Sequence, residues 1–96
     1  NVRIGVLRDN NSWIFLPRKI TVKGSQDGKQ FELINEKKVT GNHPDSNPLI
    51  KEVKIPLDNV QTQLLKITIH NYGPLPDWHN GAGEQSWLFC DEILVE

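Results

Sequence analysis

Residues 19–34, KITVKGSQDGKQFELI, place an alternating apolar pattern, a tight-turn signal and a second apolar run in direct succession. Ile20 and Val22 alternate with polar neighbours, which is the period-two pattern of a strand with one buried face. Asp27-Gly28 supplies residues that tolerate the positive φ angles of a tight turn. The apolar positions that follow are Phe31, Leu33 and Ile34. The stretch therefore predicts a β-hairpin.

The same alternation recurs along the whole chain, and no segment of useful length has the period of a helix. Turn-forming residues separate the alternating runs, which is typical of an all-β sandwich or barrel. The alternating positions outside the hairpin are Val2, Ile4 and Val6; Val53, Ile55 and Leu57; Leu65, Ile67 and Ile69; and Trp87, Phe89, Ile93 and Val95. We expect about six strands in a two-sheet sandwich.

Length and charge restrict the possible functions. The chain has 96 residues and a net charge of -1, which predicts one domain over residues 1–96 with no long-range field for nucleic acid or an anionic membrane. We therefore expect no nucleic-acid partner, and a membrane partner is disfavoured. The first residues, NVRIGVL, already have a strand pattern, which suggests a fragment of a longer module.

The acidic residues and the cysteine do not predict an enzyme. Asp91 and Glu92 are adjacent in a predicted strand, so their side chains point to opposite faces and cannot flank one bond. Glu84 lies nearer the longest loop but has no evident second carboxylate. Cys90 stands in the apolar run WLFCDEILV, where a small buried side chain is expected rather than a nucleophile.

A metal site is also disfavoured. His70, Asp77 and His79 lie within ten residues and are possible ligands. Their spacing matches no metal motif, and hydrogen-bonded or solvated histidines are the more probable interpretation. We expect neither a metal nor a cofactor.

Aromatic residues near two loops indicate a possible stacking site. Tyr72 and Trp78 lie on the long loop 71–86, and Trp13 borders the polar loop 8–12. Aromatic faces pack against the C–H faces of sugars, and neighbouring polar groups bond the hydroxyls. We expect Trp87, inside the run SWLF, to be buried in the core, and a core role is also favoured for Trp13. Of these aromatic residues, Trp78 is the one for which a ligand-binding role is favoured.

Several stretches resemble the discoidin-like domains (coagulation factor type C, galactose-binding-like fold). WIFLPRKITVKGSQDGKQFELI (13–34) is similar to the middle of these domains, where a strand carrying V-x-x-S-x-D-G turns into an x-F-x-x-I strand. LLKITIHNYG (64–73) resembles their later strand, although QLLK (63–66) replaces the arginine and tyrosine of the family's pattern.

The end of the chain resembles one subgroup of that family. GEQSWLFCDEILVE (83–96) is similar to a closing strand of the form W-x-F-x-D-E-I-x-V, found in modules at the C-termini of bacterial β-hexosaminidases (chitobiase-like enzymes). NYGPLPDWHNGAG (71–83) matches the same subgroup. The wider family includes the family-32 carbohydrate-binding modules.

The resemblance implies an antiparallel jelly-roll β-sandwich that lacks the family's first strands. It also implies a non-catalytic module of a secreted or periplasmic bacterial glycoside hydrolase, holding the enzyme near its glycan. The alternative is a structural accessory domain that packs on the catalytic domain and binds no sugar. The expected ligand is a glycan or a terminal monosaccharide of the galactose, N-acetylglucosamine or N-acetylgalactosamine type.

The resemblance also implies a site on loops at one end of the sandwich. The family's arginine and asparagine in an early loop correspond most naturally to Arg8 and to Asn10 or Asn11. Its stacking aromatic corresponds to Trp78, or second to Tyr72, with His79 at the rim beside it. The family's calcium-holding loop has no counterpart in these residues, so a structural calcium is not expected.

Overall fold

The structure is a computed structural model that describes residues 1–44, 48–57 and 62–96. The chain is all-β apart from one short 3-10 turn, Asn10–Ser12. Its described strands are β1 (Val2–Arg8), β2 (Lys19–Ser25), β3 (Glu32–Lys38), β4 (Leu49–Ile55), β5 (Leu64–His70) and β6 (Cys90–Val95). The six predicted strands are confirmed. None of the described residues belongs to a helix with the length and apolar character that a bilayer crossing requires.

The strands form two antiparallel sheets of three strands each. One sheet has the order β4-β1-β6 and the other β3-β2-β5, so β1 and β2 are the central strands. Successive residues of β1 alternate between buried and half-buried positions, with Val2, Ile4 and Val6 on the buried face, as the period of two requires. The predicted hairpin of residues 19–34 is confirmed, because β2 and β3 pair directly. The predicted tight turn was wrong: residues 26–31 connect the strands, and of Asp27 and Gly28 only Gly28 has a positive φ, 76°.

The core lies between the sheets, which gives the chain a sandwich-like architecture. Its buried members are Val2, Ile4, Val6, Leu16, Ile20, Val22, Val53 and Ile55. Inward residues of β5 pack around this cluster, together with Ile34 and Cys90. Cys90 is thus half-buried against the core, and burial raises the pKa of its thiol. This placement agrees with a packing role for the cysteine.

The two long sides of the sandwich differ. Cross-sheet hydrogen bonds join the side containing β3 and β4, where Asn35 Nδ2 donates to the Pro56 carbonyl at 2.8 Å and Lys37 Nζ to the Lys54 carbonyl at 3.4 Å. On the other side, Ile93 and Val95 of β6 stand in register with buried Ile4 and Val2. They nevertheless remain 46% and 59% exposed, so this side is open.

A bulge displaces the alternation in β6. Gly5 pairs with Glu92 and Val6 pairs with Cys90, which leaves Asp91 as the extra residue. The carboxylate of Asp91 lies over Gly5, where a Cβ atom would overlap it. The bulge explains why Cys90 and Ile93 face the same side although three positions separate them.

Trp87 is not part of the core, and the prediction that it is buried was wrong. Its side chain is 68% exposed, while the preceding Ser86 is 5% exposed. The segment is extended here, with Trp87 N–H donating to the Trp13 carbonyl at 2.8 Å and the Trp87 carbonyl accepting from Phe15 N–H at 3.1 Å. Successive side chains alternate in extended backbone, so an inward Ser86 turns Trp87 to solvent.

Candidate functional site

Trp13 has an unusual backbone conformation. It follows the 3-10 turn with φ 63° and ψ 23°, in the left-handed region. Among the described residues it is the one non-glycine with a positive φ. This region costs an L-residue roughly 1–2 kcal/mol, and the position after a helical turn is usually occupied by glycine. Such strain concentrates at functional sites, so Trp13 is a candidate functional residue.

The long loop fixes the Trp13 ring from one side. Gly81 lies so close that a Cβ there would be 2.8 Å from Trp13 Cζ2. The His79 ring meets the indole edge-on, with 6.1 Å between the centroids and 88° between the planes. Trp13 is therefore held by tertiary contacts that compensate its backbone strain.

Trp13 also lines a cleft. This cleft measures about 310 Å³, and Trp13 and Trp87 are the two aromatic residues in its lining. The remaining lining residues are Glu84, Gln85 and Ser86. Pockets for small ligands begin at about 300 Å³, so the space suits one sugar residue rather than a longer chain.

The polar groups of the cleft differ in availability. Ser86 is buried, and its hydroxyl lies 2.7 Å from the Gly73 carbonyl and 3.2 Å from Asn71 Oδ1. The Glu84 and Gln85 side chains are exposed and bond no other described residue. A carboxylate and an amide are therefore available to a ligand in the cleft that Trp13 and Trp87 line.

Trp78 belongs to an aromatic cluster centred on buried Phe15. Its indole stacks on the Phe15 ring with a centroid distance of 5.7 Å and an interplanar angle of 16°. Tyr72 meets the same ring edge-on at 5.1 Å. Because Phe15 covers one face of Trp78, a ligand can stack only on the opposite face. Trp78 is 42% exposed, which is consistent with one open face.

His79 does not lie at the rim, and that prediction was wrong. The residue is 7% exposed. Its Nδ1 accepts from Gly81 N–H at 2.9 Å, so Nε2 carries the ring proton and donates to the Asn10 carbonyl at 2.8 Å. Both ring nitrogens are used, and the side chain joins the long loop to residues 8–12. With Leu75 and Ser86 it supplies the anchor that had been expected from Trp87.

The structure places Arg8 and Asn10 in a second loop-to-loop connection. Arg8 is the fourth inward residue of β1 after Val2, Ile4 and Val6, and it is 6% exposed. Its Nη1 donates to the Gly41 carbonyl at 2.7 Å. Asn10 Nδ2 donates to the His43 carbonyl at 3.0 Å. Neither residue lines the cleft, and neither does Asn11, whose side chain is exposed.

The other candidate residues are separated by the fold. His70 Nε2 lies 3.2 Å from Thr21 Oγ1, on the outer face of β5. Within residues 1–44, 48–57 and 62–96, no group of three or more histidine, cysteine or acidic side chains is placed to hold a metal ion. Glu84 is the single described carboxylate that lines the cleft.

The contact between Trp13 and Trp87, and their shared cleft, were not predicted from the sequence. In the run SWLF, either Ser86 or Trp87 can point inward. Because Ser86 points inward in the structure, Trp87 is exposed. No local pattern signals that Trp13 adopts a positive φ. A scan against protein-family models finds no match to this chain, and a search of curated proteins finds none either.

Proposed function

We propose that this chain is a non-catalytic carbohydrate-binding module, with its site in the cleft between Trp13 and Trp87. One observation carries the proposal: a strained Trp13 and an exposed Trp87 line one cleft of about 310 Å³, together with a residue that has a carboxylate and one that has an amide. Indole faces stack on the C–H faces of a pyranose, and the polar groups accept and donate hydrogen bonds to its hydroxyls.

Non-catalytic binding is the better interpretation because the cleft has one carboxylate. Glycoside hydrolysis uses two carboxyl groups on either side of the bond, and in the described residues only Glu84 lines this cleft. Asp91 lies in the β6 bulge over Gly5 instead. We expect the domain to release no product from chitobiose or aryl glycosides.

The sequence resemblance supplies the biological setting of the proposal. The chain would be a discoidin-like jelly roll in a secreted or periplasmic β-hexosaminidase, holding the enzyme near its glycan. The two three-stranded sheets are consistent with such a sandwich. In this proposal Trp78 is a secondary platform, and Arg8 acts by fixing the 41–43 loop rather than by bonding sugar.

An NMR titration tests the site. Methyl glycosides of galactose, N-acetylglucosamine and N-acetylgalactosamine are added to tens of millimolar, because shallow sugar sites bind near millimolar, about 4 kcal/mol. Shifts should cluster at residues 13 and 84–87. Trp87→Ala should abolish them, whereas Phe89→Ala, also an exposed aromatic but outside the cleft, should not. No shift with any sugar would refute the proposal.

The open side of the sandwich favours a second candidate, a structural accessory domain packed on the catalytic domain of a glycosidase. Ile93 and Val95 lie on the inner face of edge strand β6 and are about half exposed. An edge strand offers unpaired backbone groups to a neighbour. Slower hydrogen exchange across β6 in the parent enzyme than in the isolated domain would support this role. Equal exchange would exclude it.

A further inference from the structure

We infer that the Trp13–Trp87 cleft selects a sugar carrying a protonated amine, such as an unacetylated glucosamine unit, over neutral and acidic sugars. This inference rests on the proposed function and names the ligand class of the same site. It follows from the charge and chemistry of the cleft lining rather than from its shape alone.

The first argument is the sign of the charge in the cleft. Glu84 is the one ionisable group in the lining, and no lysine or arginine of the described residues accompanies it there. Its carboxylate forms no ion pair with a described residue, so no described cation neutralises its charge by direct contact. A sugar carboxylate would meet uncompensated repulsion, whereas an ammonium would supply the missing counter-charge.

The second argument is the pair of indoles. Tryptophan has the most favourable ring for a cation within about 6 Å of its centroid, because the ring face carries negative charge density. Trp13 and Trp87 both line the one cleft of about 310 Å³. Two indoles and a carboxylate together suit an organic cation better than a neutral acetamide.

The third argument is hydrogen-bonding capacity. The exposed carboxylate of Glu84 only accepts, and an ammonium has three donors and no acceptor. The Gln85 amide both donates and accepts, so it remains for the hydroxyls that distinguish a sugar from a simple amine. The cleft thus contains partners for both halves of an amino sugar.

The experiment compares matched ligands on the intact domain by NMR titration at mildly acidic pH. The ligands are methyl glucosaminide, methyl N-acetylglucosaminide, methyl glucuronide and choline. We expect methyl glucosaminide to bind about 5- to 10-fold more tightly than the N-acetyl compound, with the preference shrinking at high salt. Methyl glucuronide should bind most weakly of the sugars.

Two variants separate the charge effect from general damage. Glu84→Gln keeps the shape of the side chain and should reduce the preference to under about 2-fold. Glu32→Gln makes the same change on β3, at the opposite end of the sandwich, and should leave the preference intact. Both residues are exposed, so neither change should unfold the domain.

The outcomes distinguish this inference from the proposed function. Equal binding of the amino and N-acetyl sugars at residues 13 and 84–87 overturns the inference and leaves the binding module standing. If choline binds as tightly as methyl glucosaminide, the cleft selects an organic cation and not a sugar, which overturns the inference. A preference unchanged by Glu84→Gln overturns the assigned role of the carboxylate. Absence of binding by every ligand removes both proposals.

Discussion

At one end of the sandwich, residues 25–30 are closed by hydrogen bonds between neighbours two or three positions apart, whereas at the other end His79 bonds a residue 69 positions away. Apart from buried Ser25, the residues of this turn are exposed. Ser25 Oγ accepts from Gly28 N–H at 2.8 Å, and Asp27 Oδ1 accepts from Lys29 N–H at 2.8 Å. These bonds need only the local sequence.

The aromatic end depends on segments that are distant in sequence. Phe15 from the first part of the chain contacts Tyr72, Trp78 and His79 from the long loop. Dispersion and burial hold this end, and those contacts exist only after the sheets have assembled. The aromatic end therefore adds long-range contacts to the core between the sheets and carries the proposed ligand site, whereas the local bonds of the turn end shape one hairpin.

The largest expected difference between the ends is the response to aromatic truncation. Phe15→Ala should lower the free energy of unfolding by about 3–5 kcal/mol, because Phe15 is fully buried and its removal leaves a cavity. Phe31→Ala at the turn end should cost less than half as much, since that ring is half-buried. Urea unfolding measures both. Equal losses would contradict the comparison.

A smaller effect is expected from overpacking the Trp13 support. Gly81→Ala would place a methyl group 2.8 Å from Trp13 Cζ2, so the indole or the long loop must move. Such overpacking costs about 1–3 kcal/mol and should alter the tryptophan fluorescence. Gly28→Ala, at the turn end, is strained by its φ of 76° but should leave the fluorescence unchanged. The same spectral change in both variants would argue against a specific support.

Trp87→Ala should scarcely change stability. The side chain is 68% exposed, so the free energy of unfolding should stay within about 0.5 kcal/mol of the parent value. Sugar binding should nevertheless be lost. Thermal unfolding and the sugar titration together check the two halves of this prediction. A loss of several kcal/mol in the free energy of unfolding would show that Trp87 is a core residue.

The smallest effect concerns acid at the turn end. Backbone N–H groups of Lys29 and Gln30, with the Ser25 hydroxyl, stabilise the Asp27 carboxylate and lower its pKa. A lowered folded pKa adds stability above the unfolded pKa, and that stability disappears as pH falls through the folded value. Asp27→Asn should therefore flatten the stability curve slightly from about pH 4 downwards. If the free energy of unfolding fell with acid as steeply in the variant as in the parent, Asp27 would contribute nothing to the pH dependence of stability.

Most of the strands were predictable because each carries its own period. Ile20 and Val22, and Leu65, Ile67 and Ile69, face the core as their alternation requires. The same rule also extends to Arg8, the next inward position after Val6, although its charge had suggested a loop residue. The pattern fails where a bulge intervenes, as at Asp91, because an inserted residue reverses the faces of all that follow.

The sequence by itself determined the all-β class, the approximate positions of the strands along the chain and the hairpin around Asp27-Gly28, since strand alternation and turn chemistry act between residues a few positions apart. Only the tertiary structure decided which tryptophan meets solvent. Ser86 points inward because Gly73 and Asn71 offer it partners, and Trp87 consequently faces outward. Trp13 keeps its left-handed backbone because His79 and Gly81 pack against its ring from the far end of the chain.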